Sequence, residues 1–220
     1  MTNQKGIFKK GEGDNWYTRN TKALDSQNQE DVIVKALREI EITPKSVLEI
    51  GCANGKRLDE IHRAFDSECH GIEPSQIAVD KGNEEFSGIK LKQGTAESLD
   101  YTDEKFDVII FGFCLYLCDR ADLFKIANEA DRCLNKNGHI VILDFLPNFP
   151  FKNEYSHLEG LYSYKMDYSK LFTWNPFYSE IYKNIFSHQG YGMRDVPNEK
   201  VGLTILSRNE EFAYLNSPYK

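Results

Sequence analysis

The sequence predicts an α/β fold: a single doubly wound, mostly parallel sheet with helices on both faces. Three observations carry this. Short apolar runs of strand length recur at residues 46–50, 69–73, 106–112 and 139–145. Stretches with apolar residues at helical spacing alternate with them, as at Leu58, Ile61, Ala64 and Phe65. Finally, the first run, Ser46-Val47-Leu48-Glu49-Ile50, breaks into Gly51-Cys52-Ala53-Asn54-Gly55, a tight loop that opens directly into the next helix and is expected to present its backbone N–H groups as a cradle for a carboxylate or a phosphate.

Composition bounds the rest. A chain of 220 residues, 40% of them hydrophobic, builds one good core, so one elaborated domain is expected rather than two. Residues 1–45 read as an N-terminal arm, flap and helix, residues 46–220 as the ligand-binding domain, and about 147–180 as an insertion within it. Lys plus Arg number 27 against 34 Asp plus Glu, a net charge of −7 with no long basic block, which argues against a nucleic-acid partner. Mean hydropathy is −0.54 and no apolar run approaches membrane-spanning length. With a polar N-terminus, the expectation is a cytoplasmic protein without a membrane partner, monomeric or homodimeric. Five scattered cysteines fit reduced thiols, and Cys114, Cys118 and Cys133 lack zinc-site spacing, so no metal is expected.

Along the chain, Met1–Gly13 is Lys/Gly-rich and reads as a flexible arm. In Asp14-Asn15-Trp16-Tyr17-Thr18-Arg19-Asn20, two large aromatics and an arginine precede a helical pattern. Two readings stand side by side: a helix entry stapled to the core, or a flap over a ligand. Val32, Ile33, Ala36, Leu37 and Ile40 continue at helical spacing, and Thr43-Pro44 leads to the first strand. The second strand ends in Glu73, about twenty residues after the glycine loop, where such sheets hydrogen-bond a ribose diol; Pro74-Ser75 then starts a helix. Residues 88–93 alternate as a third strand. Asp122–Leu134 is a helix stopped by Asn135-Lys136-Asn137-Gly138, before the strand at 139–145. From Pro147 to Gly190 the chain is crowded with tyrosines and phenylalanines, an aromatic-rich lid between strands 5 and 6. Residues 179–188 and 201–207 read as the last two strands, with Ile181, Ile185 and Phe186 packing inward.

The glycine spacing does not fit a dinucleotide fingerprint, because Ala53 and Lys56 stand where G-x-G-x-x-G needs glycine. The stretch resembles motif I of the class I, Rossmann-like, S-adenosylmethionine (SAM)-dependent methyltransferases, acidic-x-G-x-G-x-G, with Glu49, Gly51 and Gly55 matching and Ala53 in place of the central glycine. Phe106-Asp107-Val108-Ile109-Ile110-Phe111 resembles that family's fourth strand. The resemblance implies an antiparallel last strand and methyl transfer from SAM, leaving S-adenosylhomocysteine, to an oxygen or nitrogen of a small-molecule acceptor. It also implies a cofactor site at Glu49, Gly51, Cys52, Ala53, Gly55, Glu73, Pro74, Thr95, Ala96, Glu97, Phe111 and Phe113. Thr95 stands where the family more often has Asp. In the flap, Tyr17 would cover the site and Arg19 would pair the methionyl carboxylate. Tyr116 lies where acceptor pockets open; in the lid, His157 is suited to take a proton and Tyr164 to orient substrate. The lid's tyrosine, histidine and lysine point to a small polar acceptor such as a sugar derivative or cell-envelope precursor. A nucleotide-binding oxidoreductase and a SAM-binding protein without transferase activity are the rival readings.

Overall fold

The computed structural model describes residues 3–25, 29–188, 196, 198–211 and 213–219. Residues 3–13 depart from the expected flexible arm. From Asn3 onward they are helical: α1 (Gln4–Ile7) passes through a π turn at Phe8–Glu12, kinked at Gly11 (φ 154°), into α2 (Gly13–Asp25). Lysines and glycines made this segment read as loose. It is held because Gln4, Phe8 and Glu12 are buried against distant parts of the chain. Met1 and Thr2 lie outside the described residues.

α3 (Val32–Glu39) is capped by Asp31, whose carboxylate accepts from the Ile33 N–H at 2.8 Å, and buries Ile33, Val34, Ala36 and Leu37. The alternating units follow as predicted: β1 (Ser46–Ile50), α4 (Lys56–Phe65), β2 (Glu68–Glu73), α5 (Gln76–Glu85), β3 (Ile89–Gln93), β4 (Phe106–Gly112), α6 (Leu123–Cys133) and β5 (Leu134–Phe145). Ser75 caps α5 by accepting from the Ala78 N–H. The predicted stop at Asn135–Gly138 lies within the β5 strand, in the irregular stretch between the Phe106–Leu134 and Val108–His139 pairings. The lid adds β6 (Phe151–Glu154), β7 (Tyr162–Lys165) and the short α7 (Lys170–Thr173). β8 (Tyr178–Ser187) and β9 (Lys200–Arg208) close the fold; Gln189 and Gly190, the end of the aromatic-rich stretch, lie outside the described residues.

The seven-stranded sheet has the order β3-β2-β1-β4-β5-β9-β8, with β9 antiparallel to both its neighbours and the other pairings parallel. Alternate residues of β4 feed opposite cores. Ile109 and Phe111 pack with α6 and α7, whereas Val108 and Ile110 pack with α3 and α4. Asp107, between them, accepts through its carboxylate from the Lys45 and Ser46 N–H groups at 2.8 and 3.1 Å and so pins the start of β1 to β4. At the sheet edge, Ile181 is exposed rather than packed, because the β8–β9 register slips between Glu180 and Tyr182.

Candidate active site

The reversal of strand order falls between β1 and β4, and the cleft lies at the carboxyl ends of those strands, where an open α/β sheet binds ligands. It encloses about 800 Å³ of empty space, counted out to its mouth. Of the residues singled out from sequence, Gly51, Glu73, Pro74, Thr95, Ala96, Glu97 and Phe113 line it.

The glycine loop is spent on its own structure. Gly51 and Cys52 N–H groups both point at the Ile72 carbonyl (2.8 and 3.4 Å), Gly55 N–H bonds the Cys52 carbonyl, and Ala53 N–H donates to Glu73 Oε2 at 3.0 Å. The loop therefore does not offer these N–H groups as an anion cradle, as the strand–loop–helix pattern led one to expect. Ala53 adopts a left-handed backbone (φ 49°), a conformation that costs a non-glycine residue roughly 1 kcal/mol and explains why a glycine suits this place. Gly55 (φ 75°) turns the chain into α4 and a Cβ there would meet Ile89 and Leu91, so its role is in the helix entry. Cys52 and Phe111 are core residues, Phe111 facing Phe172 at 6.2 Å between ring centres.

Glu73 is the polar centre of the cleft. It is buried, with Oε1 accepting from the Ser75 N–H and Oε2 from the Ala53 N–H, both at 3.0 Å. Burial pushes its carboxyl up to about 7, against the pull of those two N–H donors. Each oxygen keeps a lone pair for a further donor. Glu49 lies beneath the cleft floor: a Cβ on Gly112 would fall 2.5 Å from its Oε1, and the same carboxylate pairs with Arg57, which Asp31 holds in turn at 2.8 Å. Glu49 Oε2 is buried without a hydrogen-bond partner among the described residues. Across the cleft, the Thr95 hydroxyl bonds Glu97 at 2.9 Å, and Lys5 reaches Glu97 at 3.4 Å and Asp122 at 2.6 Å.

The roof is the N-terminal strap. Lys5, Phe8, Gly13 and Trp16 line the cleft, whereas Tyr17 and Arg19 do not. Tyr17 is buried with the Lys81 ammonium over its ring at 5.9 Å, and Arg19 pairs with Glu12 at 2.5 Å and with the Tyr155 hydroxyl at 3.0 Å. The aromatic cover is thus Trp16, about 100° around the helix from Tyr17, and Arg19 secures the strap to the lid. Gln4 is buried beneath the lid, bonding the Leu117 and Tyr162 carbonyls and accepting from the Tyr162 N–H. Asp119 accepts the Gln4 and Lys5 N–H groups at 2.9 and 3.0 Å. Asp119→Ala should loosen the strap, because two charge-assisted bonds go. Limited proteolysis within residues 3–25 should speed up by about tenfold, and an unchanged rate would show that Gln4 alone holds it.

The three expected catalytic side chains separate. His157 is exposed beyond β6, its ring against Tyr155 at 5.4 Å, and it does not line the cleft. Tyr164 lies under the Arg120 guanidinium, 4.5 Å from its ring centre, in an outer groove beside Gln4. Tyr116 stays near the cleft: the Trp16 indole lies against its hydroxyl, and its ring meets Phe145 at 5.1 Å. Sequence reasoning missed Asp144, the buried acid at the end of β5, whose carboxylate accepts from the Phe145 N–H at 2.7 Å and is pushed up to about 7 by burial. An acid closing an apolar strand was the available signal.

A family model described as a methyltransferase domain matches residues 47–138, the span from β1 to the irregular start of β5. Over that span the chain is similar to methyltransferase domains. It is 31% identical over 126 residues to an uncharacterized methyltransferase of Bacillus subtilis, covering 52% of this chain and 47% of that protein. It is 26% identical over 162 residues to a demethylmenaquinone methyltransferase of Thermotoga maritima, covering 72% and 65%. The chain spans about half the length of the first curated relatives it matches. Among solved structures, a Burkholderia thailandensis 1,6-didemethyltoxoflavin N1-methyltransferase, with S-adenosylhomocysteine bound, shares the fold at a TM-score of 0.73 and 10% identity, covering 93% of this chain and 89% of that one. A SAM-dependent methyltransferase of Methanosarcina mazei gives 0.61 at 15% identity, with 76% and 93% covered. Set against the class I methyltransferase pattern, the chain departs at Ala53 and Thr95, and in both places the local structure stays closed: Ala53 bonds Glu73 and Thr95 bonds Glu97.

Proposed function

We propose that this chain transfers a methyl group from SAM to an oxygen or nitrogen of a small acceptor. The observation that carries the reading is Glu73, a buried carboxylate on the cleft wall with a free lone pair on each oxygen, at the strand end where a ribose diol can donate to both. The cleft residues fit the cofactor in two further ways. Glu49 Oε2 is a buried acceptor in want of a donor beneath the floor, and Thr95, Ala96 and Glu97 offer polar groups and a flat apolar contact for a base. SAM supplies a methyl group on a sulfonium that is already a good leaving group, so alignment and exclusion of water can do most of the work. Phe8 and Trp16 in the strap would exclude water from above, while Gly51 and Gly112 let the ligand approach the strand ends.

Relatives carry names for very different acceptors, among them a demethylmenaquinone, a fatty acid and the alkaloid ajmaline, so none is carried over to this chain. Calorimetry with SAM, S-adenosylhomocysteine and NAD tests the reading. The first two should bind and NAD should not; NAD binding alone would turn the assignment to an oxidoreductase.

A further inference from the structure

Beyond the cofactor cleft, five rings form a continuous wall. Phe113 lines the cleft and meets His188 edge-on at 5.5 Å and Phe145 at 5.7 Å. Phe145 stacks on His188 (5.6 Å, 26° between planes) and meets Tyr116 at 5.1 Å, while Trp16, which also lines the cleft, lies against the Tyr116 hydroxyl. None of the five rings is buried: four are partly accessible and His188 is exposed, so the wall continues the cleft outward. Phe113 is held there in a left-handed backbone (φ 51°), a strained conformation for a bulky residue of the kind that gathers at ligand sites.

The charge around this wall is selective. Lys165 is buried, bonded to the Asn198 carbonyl and side chain at 2.7 Å each, and its ammonium sits 3.6 Å from the centre of the Phe145 ring. That cation sits on Phe145 with the Asp144 and Glu199 carboxylates in its field, and His188 stacks on the same ring, so a cationic guest on the wall would compete with Lys165 for the Phe145 π system. A flat conjugated guest without positive charge meets edge-to-face and stacking partners instead.

We infer that this wall of Trp16, Phe113, Tyr116, Phe145 and His188 is the acceptor subsite, and that it takes a flat, conjugated acceptor that is neutral or anionic and bears a hydroxyl or ring nitrogen. The inference rests on the methyltransferase reading and narrows it, replacing the polar, sugar-like acceptor expected from the lid's composition. In the transfer, the methyl–sulfur bond breaks as the new bond to oxygen or nitrogen forms, the sulfur keeps the electron pair, and the acceptor's proton passes to solvent.

The test is equilibrium binding to the full chain saturated with S-adenosylhomocysteine, with 2-naphthol, its saturated counterpart decahydro-2-naphthol, and 2-naphthylmethylamine as the cationic flat probe. The naphthol should bind at least about tenfold tighter than either of the others, and Phe145→Ala should erase that preference while S-adenosylhomocysteine affinity stays within about twofold. Phe145→Leu, which keeps the bulk and loses the ring, guards against misfolding and should also lose the preference. Equal binding of the flat and saturated alcohols, or tighter binding of the amine, overturns the subsite. A wild-type chain that fails to bind S-adenosylhomocysteine overturns the cofactor reading, and this inference with it.

Discussion

Gly51→Val should weaken SAM binding by at least about a hundredfold, roughly 2.7 kcal/mol. Gly51 sits at φ 78°, a backbone that a β-branched residue adopts only under strain. Its missing Cβ would lie 2.5 Å from the Cys114 Cβ and 3.3 Å from its sulfur. Gly51 and Cys114 line the cleft from different strand ends, so the new side chain would force those two walls apart. The glycine is therefore required as much by its neighbour Cys114 as by the ligand. A stability loss of about 2–4 kcal/mol should accompany the binding loss, measured by denaturant titration. Adding Cys114→Gly should return part of both by removing the collision, though the backbone strain stays. Normal affinity in Gly51→Val would place the cofactor elsewhere.

The second large effect concerns Glu73. Its carboxyl rises from the ordinary value of 4.5 to about 7 because it is buried, so the folded state holds a proton that the unfolded chain has released across that window. Stability from this group is fully present below pH 4.5 and is lost as pH climbs through about 7. Nucleoside binding should run the other way. Ribose hydroxyls donate better to the charged carboxylate, so affinity should rise with pH through about 7. Glu73→Gln should lower adenosine and SAM affinity alike, by about thirtyfold or ~2 kcal/mol, and flatten the profile. It also sets an amide against the Ala53 and Ser75 N–H donors, one of which loses its acceptor. Asp144, likewise pushed to about 7, is the control: Asp144→Asn should leave the slope intact. Calorimetry of adenosine between pH 5.5 and 8.5 checks this, and a flat wild-type profile sinks it.

Local chemistry by itself determined the frame of this protein. The alternation of strand and helix periods between residues 46 and 145, the Ser75 cap, the acid at the end of β2 and the glycine at the strand–helix turn all follow from patterns a few residues long, and all stand in the structure. Of the cleft-lining residues legible beforehand, Gly51, Glu73, Pro74 and Phe113 stand at or just past strand ends, where chain position alone sets direction. What only the tertiary structure decided is how the remaining segments lie over that frame. The strap is fixed by bonds from Gln4 to Leu117 and Tyr162, 113 and 158 residues away, which no local pattern announces. That docking chooses Trp16 over Tyr17 for the cleft and ties Arg19 to Glu12. The loop's N–H groups are consumed by Ile72 and Glu73 on the neighbouring strand, so a cradle legible from glycine spacing closes once β2 is paired with β1. His157 is left in solvent, while Phe145 in β5 and His188 just past β8, brought together through β9, meet beside Phe113, because side-chain direction there depends on sheet pairing and not on sequence neighbours.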